Sequence, residues 1–124
     1  MLERARLLIV DDEAEVALDL RRDLEELPGC QVATASSGEH ALRLFEKGPF
    51  DVLITDYNMP GMDGLSLAAR VRQLYPQTAI IMVTGAAGML RQWSARAFVQ
   101  SILDKPVMPW QIRQVVSQVL DGLA

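Results

Sequence analysis

The chain has 124 residues, half of them hydrophobic and 23% charged, with a formal net charge of −4. That length suits one domain spanning residues 1–124, and the acidic balance excludes a surface built to grip nucleic acid, which needs a basic footprint. A single cysteine, Cys30, excludes an internal disulfide, and no apolar run approaches the roughly 20 residues that span a bilayer.

In chain order, Leu7-Leu8-Ile9-Val10 comes first. Its apolar residues do not alternate with polar ones, which suits a strand covered on both faces of a parallel sheet. Asp11-Asp12-Glu13 follows. Val16, Leu20, Leu24 and Leu27 then recur at helical spacing, with charged residues filling most positions between them, until Pro28-Gly29 stops the helix. Gln31 to Ala35 is a weaker strand. A second helix enters at Ser37, carries Ala41, Leu42 and Phe45, and stops at Gly48-Pro49. Val52-Leu53-Ile54 is the next strand and ends in Thr55-Asp56. Leu65, Ala68, Ala69, Val71, Arg72 and Leu74 mark a third helix, ended by Tyr75-Pro76. Ala79 to Val83 forms a strand that ends in Thr84-Gly85. Gly88 to Ala97 is a fourth helix, and Val99 to Leu103 a strand before Asp104-Lys105-Pro106. Pro109 opens the last helix, with Ile112, Val115, Val116, Val119 and Leu120 on its apolar face.

Five strands alternating with five helices predict a doubly wound α/β fold with right-handed crossovers. Such sheets bind ligands beyond the carboxyl ends of their strands, where strand order reverses. Asp11, Asp12 and Asp56 are therefore expected in one acidic cluster facing Lys105 and the Thr84 hydroxyl. Three carboxylates in one crevice repel one another and should raise at least one pKa, unless a hard divalent cation relieves them. An Asp beside such a cation can accept a phosphoryl group, with Lys105 and Thr84 contacting the phosphoryl oxygens. Taken singly, Asp11-Asp12 reads as an ordinary helix N-cap pair. It is the convergence of four strand ends that favours chemistry.

Val10-Asp11-Asp12-Glu13, the stretch Asp56-Tyr57-Asn58-Met59-Pro60-Gly61-Met62-Asp63-Gly64, Thr84-Gly85 and Lys105-Pro106 together resemble the receiver domains of two-component response regulators. The resemblance runs the whole chain in order, and its central stretch is highly specific. It implies a CheY-like (βα)5 fold, a five-stranded parallel sheet of order 2-1-3-4-5. It also implies that Asp56 takes a phosphoryl group from a histidine kinase or phosphotransfer protein. By the same resemblance, Asp12 ligates Mg²⁺ (or Mn²⁺) directly, Asp11 acts through water, and the Asn58 backbone carbonyl adds a further ligand. Thr84 and Lys105 are the pair that contact the phosphoryl group. The implied output is a downstream effector met by the face of the fourth helix, fifth strand and fifth helix; dimerisation is compatible with this. A signalling role in the cytoplasm follows, with no catalytic turnover of an external substrate. One position departs from the family: Ile102 stands where receivers carry a Tyr or Phe that rotates inward on phosphorylation.

Two other functions fit parts of the pattern. A pseudo-receiver would serve only for interaction, and Ile102 is the feature in its favour. A phosphohydrolase of the haloacid dehalogenase type uses similar groups, but carries Asp-x-Asp after its first strand where this chain has Asp11-Asp12-Glu13. His40 is expected to be a solvated helix residue. Trp110 is expected to pack, and Trp93 to be either packing or a partner anchor. Met59, Met62, Met82, Met89 and Met108 are expected to fill core, and Gly85 with Ala86 to leave the site open. Met1, close to the first strand, suggests a true N-terminus; whether an output domain follows Ala124 stays open.

Overall fold

The structure is a computed structural model that describes residues 4–85 and 98–123. The strands are β1 (Ala5–Val10), β2 (Cys30–Ala35), β3 (Val52–Asp56), β4 (Ala79–Thr84) and β5 (Ser101–Asp104). The helices are α1 (Ala14–Glu25), α2 (Gly38–Lys47), α3 (Gly64–Leu74) and α4 (Pro109–Leu123), the last being the fifth expected from the sequence. The expected helix at Gly88 to Ala97, with Trp93, and also Ala86, lie outside the described residues.

All pairings are parallel and the order is β2-β1-β3-β4-β5, as the resemblance implies. Strand order reverses between β1 and β3, so the ends of these two strands flank the crevice where such sheets bind ligands. Side chains alternate between the two faces of the sheet. Leu8, Val10, Leu53, Ile80 and Met82 join Ala41, Phe45, Leu67 and Val71 in a core under α2 and α3. Leu7, Ile9, Val52, Ile54, Ile81 and Val83 join Ala17, Leu20, Leu24, Ile112, Val116 and Leu120 in a second core under α1 and α4. Each fully buried Leu or Ile contributes about 1.5–3 kcal/mol of transfer free energy. That repeated contribution holds the central strands rigid under the site.

Local signals explain the helix ends. The Ser37 hydroxyl accepts from His40 N–H at 3.1 Å, and α2 stops at Gly48. The Asp63 carboxylate caps α3, accepting from Ser66 N–H at 2.7 Å. Several expectations are corrected. Leu27 lies beyond the end of α1, and Ala17 takes its place on the buried face. Leu67 is buried in α3 with Ala68 and Val71, whereas Leu74, the last residue of the helix, is exposed at the rim of that face. Trp110 is 61% exposed and does not pack, since it precedes the first core-facing residue of α4, Ile112. Met108 is likewise exposed. His40 is half-buried, and its Nδ1 accepts from Ser36 N–H at 3.2 Å, so it helps to close the start of α2.

Candidate functional site

Each strand delivers its last residues to one edge of the sheet, and the register shows how. Asp56 pairs with Val83, and Thr84 with Asp104. Pairing of β1 with β3 stops at Val10–Thr55, one residue short of both Asp11 and Asp56. The Asp11 and Asp56 side chains therefore emerge where the ladder ends and a crevice begins.

One carboxylate oxygen from each of Asp11, Asp12 and Asp56 lies within 4.8 Å of the others. Asp11 and Asp56 are buried and Asp12 is exposed. Lys105 reaches in from beyond β5, with Nζ 3.1 Å from Asp56 Oδ1 and 3.9 Å from Asp11 Oδ2. The Lys105–Pro106 peptide is cis. Thr84 is fully buried at the end of β4, and Asn58 is exposed on the loop leaving Asp56.

Asp11 is not a helix cap. The residue at that position of α1 is Glu13, which makes no side-chain cap hydrogen bond. Instead Asp11 Oδ1 accepts from the Glu13 N–H at 2.9 Å, while the Asp11 N–H donates to Ala35 O at 3.1 Å. Burial pushes the Asp11 carboxyl above its usual range. The Glu13 N–H opposes that push, and the neighbouring Asp56 and Asp12 charges add to it against the pull of Lys105. Among the described residues, one cation, Lys105, faces the three carboxylates. The donor set is all oxygen and converges on a partly open crevice, which suits a hard divalent ion of the Mg²⁺ class.

Ile102 is 8% exposed, pairs with Met82, and belongs to the core under α2 and α3. The position where the sequence resemblance leads one to expect an aromatic ring is thus a packed aliphatic one. Two residues at the site carry more than the sequence reading gave them. In the sequence Thr55 is simply the residue before Asp56, and Gly64 the end of the Asp63-Gly64 pair. Both touch the Asp56 peptide: Thr55 Oγ1 donates to Asp56 O at 2.9 Å, and Gly64 Cα is pressed against the same carbonyl. The Asp63-Gly64 spacing was the available signal for Gly64. Thr55 carried none, because a threonine in a strand is ordinary β-sheet composition.

The sequence profile of the response regulator receiver domain matches residues 7–117. The virulence sensor protein BvgS of Bordetella bronchiseptica is 38% identical over 121 residues, covering 91% of this chain and 10% of that protein. The chemotaxis protein CheY homologue of Campylobacter jejuni is 35% identical, covering 93% of this chain and 92% of its own length. The chain therefore spans about a tenth of the sensor protein but nearly all of the chemotaxis protein. The response regulator TrrA from Thermotoga maritima, solved in complex with Mg²⁺ and BeF, superposes with a TM-score of 0.84 at 30% identity, covering 93% of this chain and 98% of that one.

Proposed function

The chain belongs to the response regulator receiver domain family, and on that premise we propose that Asp56 is its phosphoryl acceptor in a Mg²⁺-dependent reaction. The observation that carries this reading is the convergence of three carboxylates on one crevice, with Lys105 Nζ 3.1 Å from Asp56 Oδ1.

Asp12 and Asp56 would hold the cation directly, Asp11 through water, and the Asn58 backbone carbonyl would complete the protein's share. A bound Mg²⁺ supplies charge neutralisation at the phosphoryl oxygens. Asp56 Oδ attacks phosphorus as the P–N bond of a phosphohistidine breaks, and the imidazole leaves with the bond's electron pair. The product is an aspartyl phosphate. Lys105 lies on the crevice side of Asp56, where its ammonium can pair with a phosphoryl oxygen in place of the carboxylate. Thr84 ends β4 beside it and supplies a hydroxyl donor. The donor is a histidine kinase or a phosphotransfer protein. The response is a changed surface around β5 and α4, where Trp110 and Met108 stand exposed for an effector or a second copy. No helix among the described residues is long and apolar enough to cross a membrane.

Incubation with Mg²⁺ and phosphoramidate, a small donor with the same P–N bond, tests the reading. One phosphoryl adduct per chain, absent without Mg²⁺ and absent in Asp56→Asn, is the expected result. Absence of an adduct in the wild-type chain would overturn it. The buried aliphatic Ile102 favours a second reading, an interaction module indifferent to phosphorylation. Partner binding that is unchanged by BeF and Mg²⁺ would support that second reading.

A further inference from the structure

The specific stretch that begins at Asp56 runs on to Gly64, yet the chemistry above uses only its first residues. The remainder has a geometric role on the opposite face of the sheet. Leu53 faces the core under α2 and α3, while Val52 and Ile54 face the core under α1 and α4. By alternation Thr55 points toward α3, and the Asp56 carboxylate points away from it.

The Tyr57 N–H bonds to Val83 O of β4 at 3.3 Å. In a trans peptide the Asp56 C=O points opposite to that N–H, toward β1. There β3 has lost its strand partner, because pairing stops at Val10–Thr55. The fully buried Thr55 hydroxyl donates to this carbonyl at 2.9 Å. Gly64, the first residue of α3, donates its N–H to Tyr57 O at 2.8 Å. A Cβ at Gly64 would overlap the Asp56 carbonyl oxygen and stand 2.9 Å from both the Asp56 carbonyl carbon and Tyr57 Cα. These are backbone atoms and cannot swing aside as the tip of a side chain could. The last peptide of β3 is therefore held by a hydroxyl from below and by the bare Cα of a helix start.

We propose that Thr55 and Gly64 are positioning residues for the phosphoryl acceptor. They fix the Asp56–Tyr57 peptide, so that the Asp56 carboxylate and the Asn58 carbonyl two residues on keep one geometry relative to Asp11, Asp12 and Lys105. This rests on the reading of Asp56 given above. It also gives the Asp63-Gly64 end of the motif a physical reason: Asp63 caps α3 at the point where only glycine allows the helix to sit on the acceptor's backbone.

The test measures the initial rate of phosphoramidate labelling, and Mg²⁺ affinity by calorimetry, on the full chain. Thr55→Val keeps the shape and removes the hydroxyl; it should label about tenfold more slowly and bind Mg²⁺ more weakly, since misplacement by a fraction of an ångström is enough to lose that much. Thr55→Ser restores the donor and should label within about twofold of wild type, even though the lost methyl lowers its melting temperature. Gly64→Ala should slow labelling and weaken Mg²⁺ binding as well. Thr78→Val is the matched control, because the Thr78 hydroxyl is also buried and donates to a backbone carbonyl, Phe50 O at 2.7 Å, at the far end of β3. It should lose stability without losing rate. The proposal is overturned if Thr55→Val labels and binds Mg²⁺ like wild type, if Thr55→Ser is as slow as Thr55→Val, or if Thr78→Val slows equally. Should Gly64→Ala fail to fold, the Thr55 pair decides. A wild-type chain that binds Mg²⁺ but takes no label sinks the acceptor reading alone, and Mg²⁺ affinity then decides this one. A wild-type chain that does neither sinks both.

Discussion

Lys105 Nζ stands 3.1 Å from Asp56 Oδ1, joining the end of β5 to the end of β3 across the intervening strand β4. The lysine side chain is one-third exposed and the aspartate almost fully buried. The pair therefore sits at the border between surface ion pairs, which contribute little, and buried ones, where loss of one partner is severe. Lys105→Met should destabilise the metal-free chain by about 1–2 kcal/mol, below the fully buried range because solvent reaches the ammonium. The same change should tighten Mg²⁺ binding, since a competing cation leaves the cluster. Labelling by phosphoramidate should nevertheless slow by about 10²-fold, for want of a charge on the phosphoryl oxygens. Melting curves, calorimetry and labelling rates check the three parts, and weaker Mg²⁺ binding in Lys105→Met would contradict the account.

Asp11 gives a pH dependence whose sign is fixed by its surroundings. Its folded pKa is raised, chiefly by burial, above the value it has in the unfolded chain. Between those two values the folded state binds more protons than the unfolded state, so stability falls as pH rises through that window. Above the folded value the cost is fully present. Asp11→Asn should therefore raise the melting temperature of the metal-free chain at pH 7 and flatten its acid-side pH profile. A metal-free Asp11→Asn chain less stable than wild type at pH 7 would show that the favourable contacts of the Asp11 charge, with the Glu13 N–H and Lys105, outweigh desolvation and repulsion.

Mg²⁺ should stabilise the folded chain by mass action, by about 2.7 kcal/mol at a hundredfold excess over Kd. Relief of repulsion among Asp11, Asp12 and Asp56 is the physical source. Asp12→Ala should shrink the Mg²⁺-dependent rise in melting temperature. An unchanged midpoint for the wild-type chain at saturating Mg²⁺ would remove the cation from the account.

Ile102 is a core residue, and its substitution should behave accordingly. Ile102→Ala should cost about 2–4 kcal/mol, through lost burial and the cavity left against Met82. Its labelling rate, measured where the variant is folded, should match wild type. A rate that falls along with stability would tie Ile102 to the chemistry.

Much of the fold was legible in the sequence. The unbroken apolar runs at β1, β3 and β4 required strands covered on both faces, because no side of them offers a polar row to water. Ser37 and Gly48 marked both ends of α2 through backbone groups that any helix leaves unpaired. Periodicity is less reliable at helix ends: Leu27 and Leu74 fit the spacing, but α1 stops at Glu25, and Leu74 is the last residue of α3 and lies exposed. Trp110 shows the same limit, since spacing along a helix does not say where its partner surface begins.

At the site, the sequence by itself determined which chemical groups are available: the carboxylates of Asp11, Asp12 and Asp56, the ammonium of Lys105 and the hydroxyl of Thr84. It could do so because strand ends in a parallel sheet must share one edge, so residues that follow apolar runs are forced together. Only the tertiary structure decided how they are held. The Asp11 carboxylate is committed to the Glu13 N–H, Lys105 chooses Asp56 over Asp11, and Ile102 lies in a packed core. The contact of Thr55 and Gly64 with the Asp56 carbonyl depends on where β1 stops pairing and where α3 begins. Those are outcomes of packing between elements distant in the chain, and no local pattern encodes them.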